Sequence, residues 1–218
     1  MRITLTILLL LQFSYAVSSW GQRDYHSSIE INLDYGLTND SHNMFRYATR
    51  TQDDFVLVEN RKPKYTFNYT VAYSLFFSEE HAVKLSFGQM TYGINYDGIF
   101  EPSGQATTGS MQIRLLEWGT SYLHRFPISN SMFFIIEPGL RYHSDGNIMT
   151  DGPFFFRRDA FSFSGYTGIE LPLGGDELFG NIGIQLKLPL QDYGGNFSGQ
   201  QPFYPFYLGL RLGVNFHI

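Results

Sequence analysis

The chain has 218 residues, with 15 Lys and Arg against 20 Asp and Glu for a net charge of −5, and no cysteine. The missing cysteine excludes a disulfide framework and a lipidated N-terminal cysteine, and the mild acidity argues against nucleic acid as a partner. Aromatic residues make up 17% of the chain, yet the apolar residues are dispersed rather than gathered into long runs.

The first stretch, "MRITLTILLLLQFSYAVSSWGQ", places Arg2 before an apolar run from Ile3 to Leu11, followed by small residues at Ser14, Ala16, Ser18 and Ser19. A charged start, a short apolar stretch and a small-residue end predict a secretory signal peptide over residues 1–19, with cleavage after Ala16, Ser18 or Ser19. The run is shorter than the roughly 20 apolar residues of a spanning helix. Residues 20–218 remain as one domain.

The mature chain reads as eight strands with period-two alternation, the mark of a strand whose two faces differ. They fall at approximately 28–37, 64–77, 82–92, 112–126, 132–143, 160–173, 179–190 and 206–218. In 28–37, Ile29, Ile31, Leu33, Tyr35 and Leu37 oppose Glu30, Asn32, Asp34 and Gly36. In 64–77, Tyr65, Phe67, Tyr69, Val71, Tyr73, Leu75 and Phe77 oppose Thr66, Asn68, Thr70, Ala72 and Ser74. Parity weakens at Gln89 and Thr91, and again at Ile113 and Arg114, where a bulge is one way to absorb the break. The connections alternate: long at 38–63, 93–110, 144–159 and 191–205, short at 78–81, 127–131 and 174–177. That rhythm fits an up-and-down antiparallel barrel with one tidy end and one elaborate end, as in transmembrane barrels.

Two readings of the faces are open. A soluble secreted ligand-binding barrel of the lipocalin kind would turn the apolar face inward. A membrane barrel would turn it outward. The apolar face is bulky for the inside of a small barrel. Its opposite carries Gly36, Gly88, Gly119, Gly139, Gly168, Gly183, Gly209 and Gly213, which suit a crowded interior. Aromatics gather near strand ends, as in interfacial girdles. These features favour the membrane barrel.

On these residues the chain resembles the small outer-membrane β-barrel proteins of Gram-negative-type bacteria, in the class of eight-stranded OmpA- and OmpX-like barrels. "LLEWGTSYLHRF" (115–126) resembles one strand of the PorT-like outer-membrane barrel group. The end, "FYLGLRLGVNFHI", is similar to the assembly signal of such proteins, with Leu210, Leu212, Val214, Phe216 and Ile218 at alternate positions; it closes on Ile218 where an aromatic is usual. The resemblance implies a cell outer membrane location, contact with its lipids, and recognition of the last strand by the barrel-assembly machinery. It names a structural class and no activity.

With the polar face inward, the lumen receives Glu30, Asp34, Glu117, Glu137 and Glu170 against Lys84, Arg125, Arg141, Lys187 and Arg211. Buried ions are costly unless paired, so this balance predicts a salt-bridge network in a closed lumen. Arg211 is expected to pair with Glu30 or Asp34. An enzyme reading rests on "RYHSDGN" (141–147), where His143, Ser144 and Asp145 loosely resemble the motif of lipid A deacylases. Adjacent strand residues point to opposite faces, which separates His143 from Ser144, so no catalytic residues are assigned. His26, His42, His81, His124 and His217 show no ligand spacing, so neither a metal nor a cofactor is assigned. The sequons at Asn39, Asn68 and Asn196 are read as chance. The long loops are the remaining functional surface, suited to an extracellular protein or glycan. The expected role is structural, adhesive or accessory.

Overall fold

The computed structural model describes residues 27–40, 45–48, 55–101, 103–129, 131–145, 159–174, 177–193 and 204–218. The signal segment, most of the third and fourth long connections, and residues 41–44 and 49–54 of the first lie outside the described residues; the rest of the first is strand. Among the described residues nine antiparallel strands run in order: β1 (Ser27–Asp40), β2 (Phe45–Ala48), β3 (Phe55–Phe76), β4 (His81–Glu101), β5 (Gln105–Ser129), β6 (Met132–Asp145), β7 (Ala160–Gly174), β8 (Leu178–Pro189) and β9 (Pro205–His217). Eight of them form a closed ring, because β1 pairs with β9 on one side and β3 on the other. Closure leaves no unpaired strand edge within the ring, which a bilayer demands. β2 stands outside it, paired with the upper part of β3.

The alternation sets the faces. Along β1, Ile31 and Tyr35 are each 57% exposed, whereas Asn32 and Asp34 are at most 1% exposed. The same pattern holds in β3, β7 and β9. A solvated globular protein would not bury Asn, Asp and Thr while exposing Ile, Leu and Phe on every strand. The inner face of these strands is therefore polar and the apolar belt faces outward, which overturns the soluble ligand-binding alternative. Glycine permits the close approach of some strands. Gly36 lies opposite Gly209 across the β1–β9 seam, and a Cβ on Gly36 would run into the Gly209 backbone.

Two expectations are corrected. Residues 93–110 are not a long loop: β4 runs to Glu101 and β5 starts at Gln105, joined by a tight turn in which Gly104 has a φ of 69°. Positive φ is a conformation glycine adopts without steric cost. Nor is there a bulge at Ile113 and Arg114, because the β4–β5 ladder is unbroken from His81↔His124 to Phe100↔Gln105. Ile113 and Leu115 keep the inward parity of Glu117 and are buried in the lumen, so the apparent break is a change in what fills it.

The irregularity lies instead in β3, between Pro63 and Tyr69. Proline donates nothing to a ladder. Side chains replace the missing bonds: Asn68 Oδ1 accepts from the Thr91 amide at 2.6 Å, and Thr38 Oγ1 accepts from the Gly93 amide at 2.9 Å. Asn68 of the second sequon is fully buried in this patch.

Candidate functional site

The β3–β4 turn, the facing ends of β5 and β6 and of β7 and β8, the start of β1 and the end of β9 lie at one end of the barrel. There Ile218 N donates to Ser27 O at 2.7 Å and His217 N to Glu177 O at 2.8 Å. The lumen above this end is filled in layers.

The middle layer is ionic. Every one of Glu30, Asp34, Lys84, Glu117, Arg125, Glu137, Arg141, Glu170, Lys187 and Arg211 is buried, none more than 6% exposed. Lys84 bridges Glu30 and Glu137, with Nζ 2.7 Å from Glu137 Oε2. Glu137 also accepts from Ser121 at 2.7 Å and from Arg141 at 3.3 Å. Arg141 donates to Ser164 at 3.0 Å and also meets Ser86. Its guanidinium occupies the space a Cβ on Gly119 would need, so that glycine makes room for the network. Arg211 joins Asp34 through two bonds, Nε to Oδ1 at 2.7 Å and Nη2 to Oδ2 at 3.2 Å, across the β1–β9 seam that closes the ring. A forked guanidinium–carboxylate pair fixes geometry as well as charge. Asn181 ties Glu30 to β8 at 2.7 Å.

Nearer the short-turn end, Arg125 meets Glu170 at 2.9 Å and lies over the Phe76 ring at 4.2 Å. Asn215 donates to the same carboxylate at 3.1 Å. Phe76, Ala82, Leu123, Ile135 and Tyr166 pack around them.

The upper layer is different. Met90, Tyr92, Ile94, Ile113, Leu115, Ala160, Tyr193 and Tyr207 form one buried apolar and aromatic cluster across the mouth. Tyr193 comes from the segment after β8, turns inward and is 1% exposed. Burial raises its phenol above the ordinary tyrosine range, which keeps the proton on its oxygen. A chain of polar contacts joins the two layers. Lys187 Nζ lies 2.7 Å from Glu117 Oε2, which lies 2.9 Å from His143 Nε2; His143 Nδ1 is 2.5 Å from the Tyr193 hydroxyl. A carboxylate only accepts, so Nε2 carries a hydrogen, and in the neutral ring Nδ1 accepts from Tyr193.

His143 is thus held in the lumen, while Ser144 follows it on the opposite face of β6. Strand geometry keeps the two side chains on opposite sides of the wall. A serine nucleophile with His143 as its base does not form here.

Outside, Leu210, Leu212, Val214, Phe216 and Ile218 stand exposed along β9, with Leu210 47% and Ile218 61% exposed. Two features were not legible in the sequence. Tyr193 sits in a Gly- and aromatic-rich stretch with no period to mark one ring as inward-facing. His81 and His124 are far apart in the chain but are direct partners in the β4–β5 ladder.

The chain resembles several solved structures. Neisserial surface protein A aligns over 89% of this chain and 99% of its own, with a TM-score of 0.50 at 8% identity. The outer membrane protein OprG from Pseudomonas aeruginosa aligns over 88% of this chain and 96% of its own, with a TM-score of 0.51 at 9% identity. The fold is that of the small outer-membrane β-barrels. No family model matches the chain, and no curated protein matches it.

Proposed function

We propose that the protein is a non-enzymatic integral barrel of the cell outer membrane whose lumen is sealed, and whose contacts are made through its exposed upper end. The observation that carries this reading is the filled lumen. Five acids and five bases are buried in paired contacts, and an apolar cluster lies across the mouth above them. An ion-selective pore would keep one sign of charge along an open path; here the signs are balanced and the space is occupied. The exposed apolar belt supplies the contact with lipid, and its strand-end aromatics suit the interfaces.

The upper end offers a surface to work with. The β3–β4–β5 strands continue past the ring's other strands as a sheet, with Lys62 and Asp97 paired across it at 2.8 Å. Together with the long connections, this is where an extracellular protein or glycan would dock, in a structural, adhesive or accessory role. The alternating apolar residues of β9 suit recognition by the barrel-assembly machinery.

Fractionation tests location: the protein should be extracted with outer membranes and show a heat-modifiable gel shift, and recovery from the periplasm or medium would overturn the reading. Planar bilayers test the seal. The refolded barrel should give no steady conductance. Lipid hydrolysis that disappears in Ser144→Ala would overturn the non-enzymatic assignment.

A further inference from the structure

We propose that the short-turn rim holds a site for a divalent transition-metal ion, formed by Glu80, His81 and His124. Glu80 closes the tight β3–β4 turn, His81 opens β4, and His124 faces His81 from β5. The two imidazoles meet edge to face with centroids 4.3 Å apart. One ligand atom from each of the three residues lies within 4.8 Å of the other two. Zinc holds nitrogen and oxygen ligands at about 2.0–2.2 Å, so its ligands end within roughly 4 Å of one another. Closing that gap needs shifts on the order of 1 Å in partly exposed side chains.

The surroundings already fix the ligands. The Tyr122 hydroxyl lies 2.6 Å from His81 Nδ1, so Nδ1 can donate to it and leave the Nε2 lone pair for a metal. Hydrogen bonds of this kind, from the ring nitrogen that does not bind the ion, orient ligating histidines. Phe126 stacks on His124 with centroids 4.0 Å apart and an angle of 17°. The Arg125 amide donates to Glu80 O at 2.7 Å, which pins the turn beside β5. Glu80 is exposed and both histidines are partly exposed, so an ion has a route in. Two imidazoles and one carboxylate suit zinc and its neighbours, not the oxygen-seeking calcium and magnesium. A water would complete the tetrahedron, as in other three-ligand zinc sites. The bound ion would clip the β3–β4 turn to β5.

The test uses the untagged full barrel refolded in detergent micelles, with zinc chloride titrated by calorimetry and histidine ring signals followed by NMR. One zinc per barrel is expected, with His81 and His124 signals shifting and those of His143 and His217 unmoved. His81→Gln and His124→Gln should each weaken binding at least about tenfold, and His217→Gln should leave it unchanged. His81→Gln and His124→Gln should keep their heat-modifiable gel mobility, because neither side chain is part of the lumen's ionic layer. The proposal is overturned by the absence of saturable binding up to about 1 mM zinc. It is equally overturned by binding that survives the double His81→Gln/His124→Gln change, or by shifts confined to other histidines.

Discussion

The middle and the mouth of the lumen lie within one ring of strands but are filled by opposite chemistry. In the middle, charge is cancelled pair by pair: Lys84 with Glu30 and Glu137, Arg211 with Asp34, Lys187 with Glu117. At the mouth, Tyr92, Tyr193, Tyr207 and their apolar neighbours exclude water by packing. The ionic layer depends on every partner being present, since a buried ion left alone costs far more than its pair contributes. The apolar layer loses only the contacts of the group removed. One layer fixes which strands meet and in what register; the other closes what remains.

The largest expected effect is therefore in the middle. Glu137 serves Lys84, Ser121 and Arg141 together, so Glu137→Ala leaves two buried cations short of a partner. A loss of about 3–5 kcal/mol is expected, read as an earlier midpoint in a urea refolding titration followed by gel mobility. A cost under about 1 kcal/mol would mean that water or a shifted neighbour replaces the carboxylate.

The seam pair sharpens the point. Arg211→Leu strands Asp34 and should cost about 3–5 kcal/mol, whereas Arg211→Leu with Asp34→Leu removes both charges and should cost clearly less than the two single changes added together. Additive losses would show that the pair is not coupled. No loss on Arg211→Leu alone would refute the seam role altogether.

The same contrast explains what the sequence made legible. Alternation of Glu30 and Asp34 with Ile31 and Leu33 gives the inner face directly, because charged residues opposite apolar ones have one sensible orientation in lipid. At the mouth the inner residues are Met90, Tyr92, Ile113 and Leu115, which resemble the outer face. Polarity then stops reporting side, and an unbroken strand reads as a loop or a bulge. The pairing of His81 with His124 was hidden for another reason: register between strands is a property of the ring, and local spacing does not carry it.

At the mouth, Tyr193→Ala removes the ring that links the cluster to His143. We expect a loss of about 3 kcal/mol, at the low end for truncating a buried aromatic, and still no conductance in planar bilayers, because the ionic layer below stays filled. Steady current through this variant would place the seal at the mouth alone and break the two-layer account.

The smallest effect should come from the pair that looks most like those in the lumen. Lys62 Nζ lies 2.8 Å from Asp97, and Lys187 Nζ lies 2.7 Å from Glu117, so distance does not separate them. Their surroundings do: the Lys62 and Asp97 side chains are 58% and 40% exposed, those of Lys187 and Glu117 0% and 1%. Water and salt screen the first pair and recover either charge when its partner is removed. Lys62→Ala should therefore shift stability by less than about 1 kcal/mol, with the shift fading further as salt is raised. Lys187→Ala abandons Glu117 between His143 and the apolar cluster and should cost several times more. Equal losses in the two variants, measured side by side in one refolding titration, would mean that the lumen is as wet as the surface, and the filled-lumen account would fall with them.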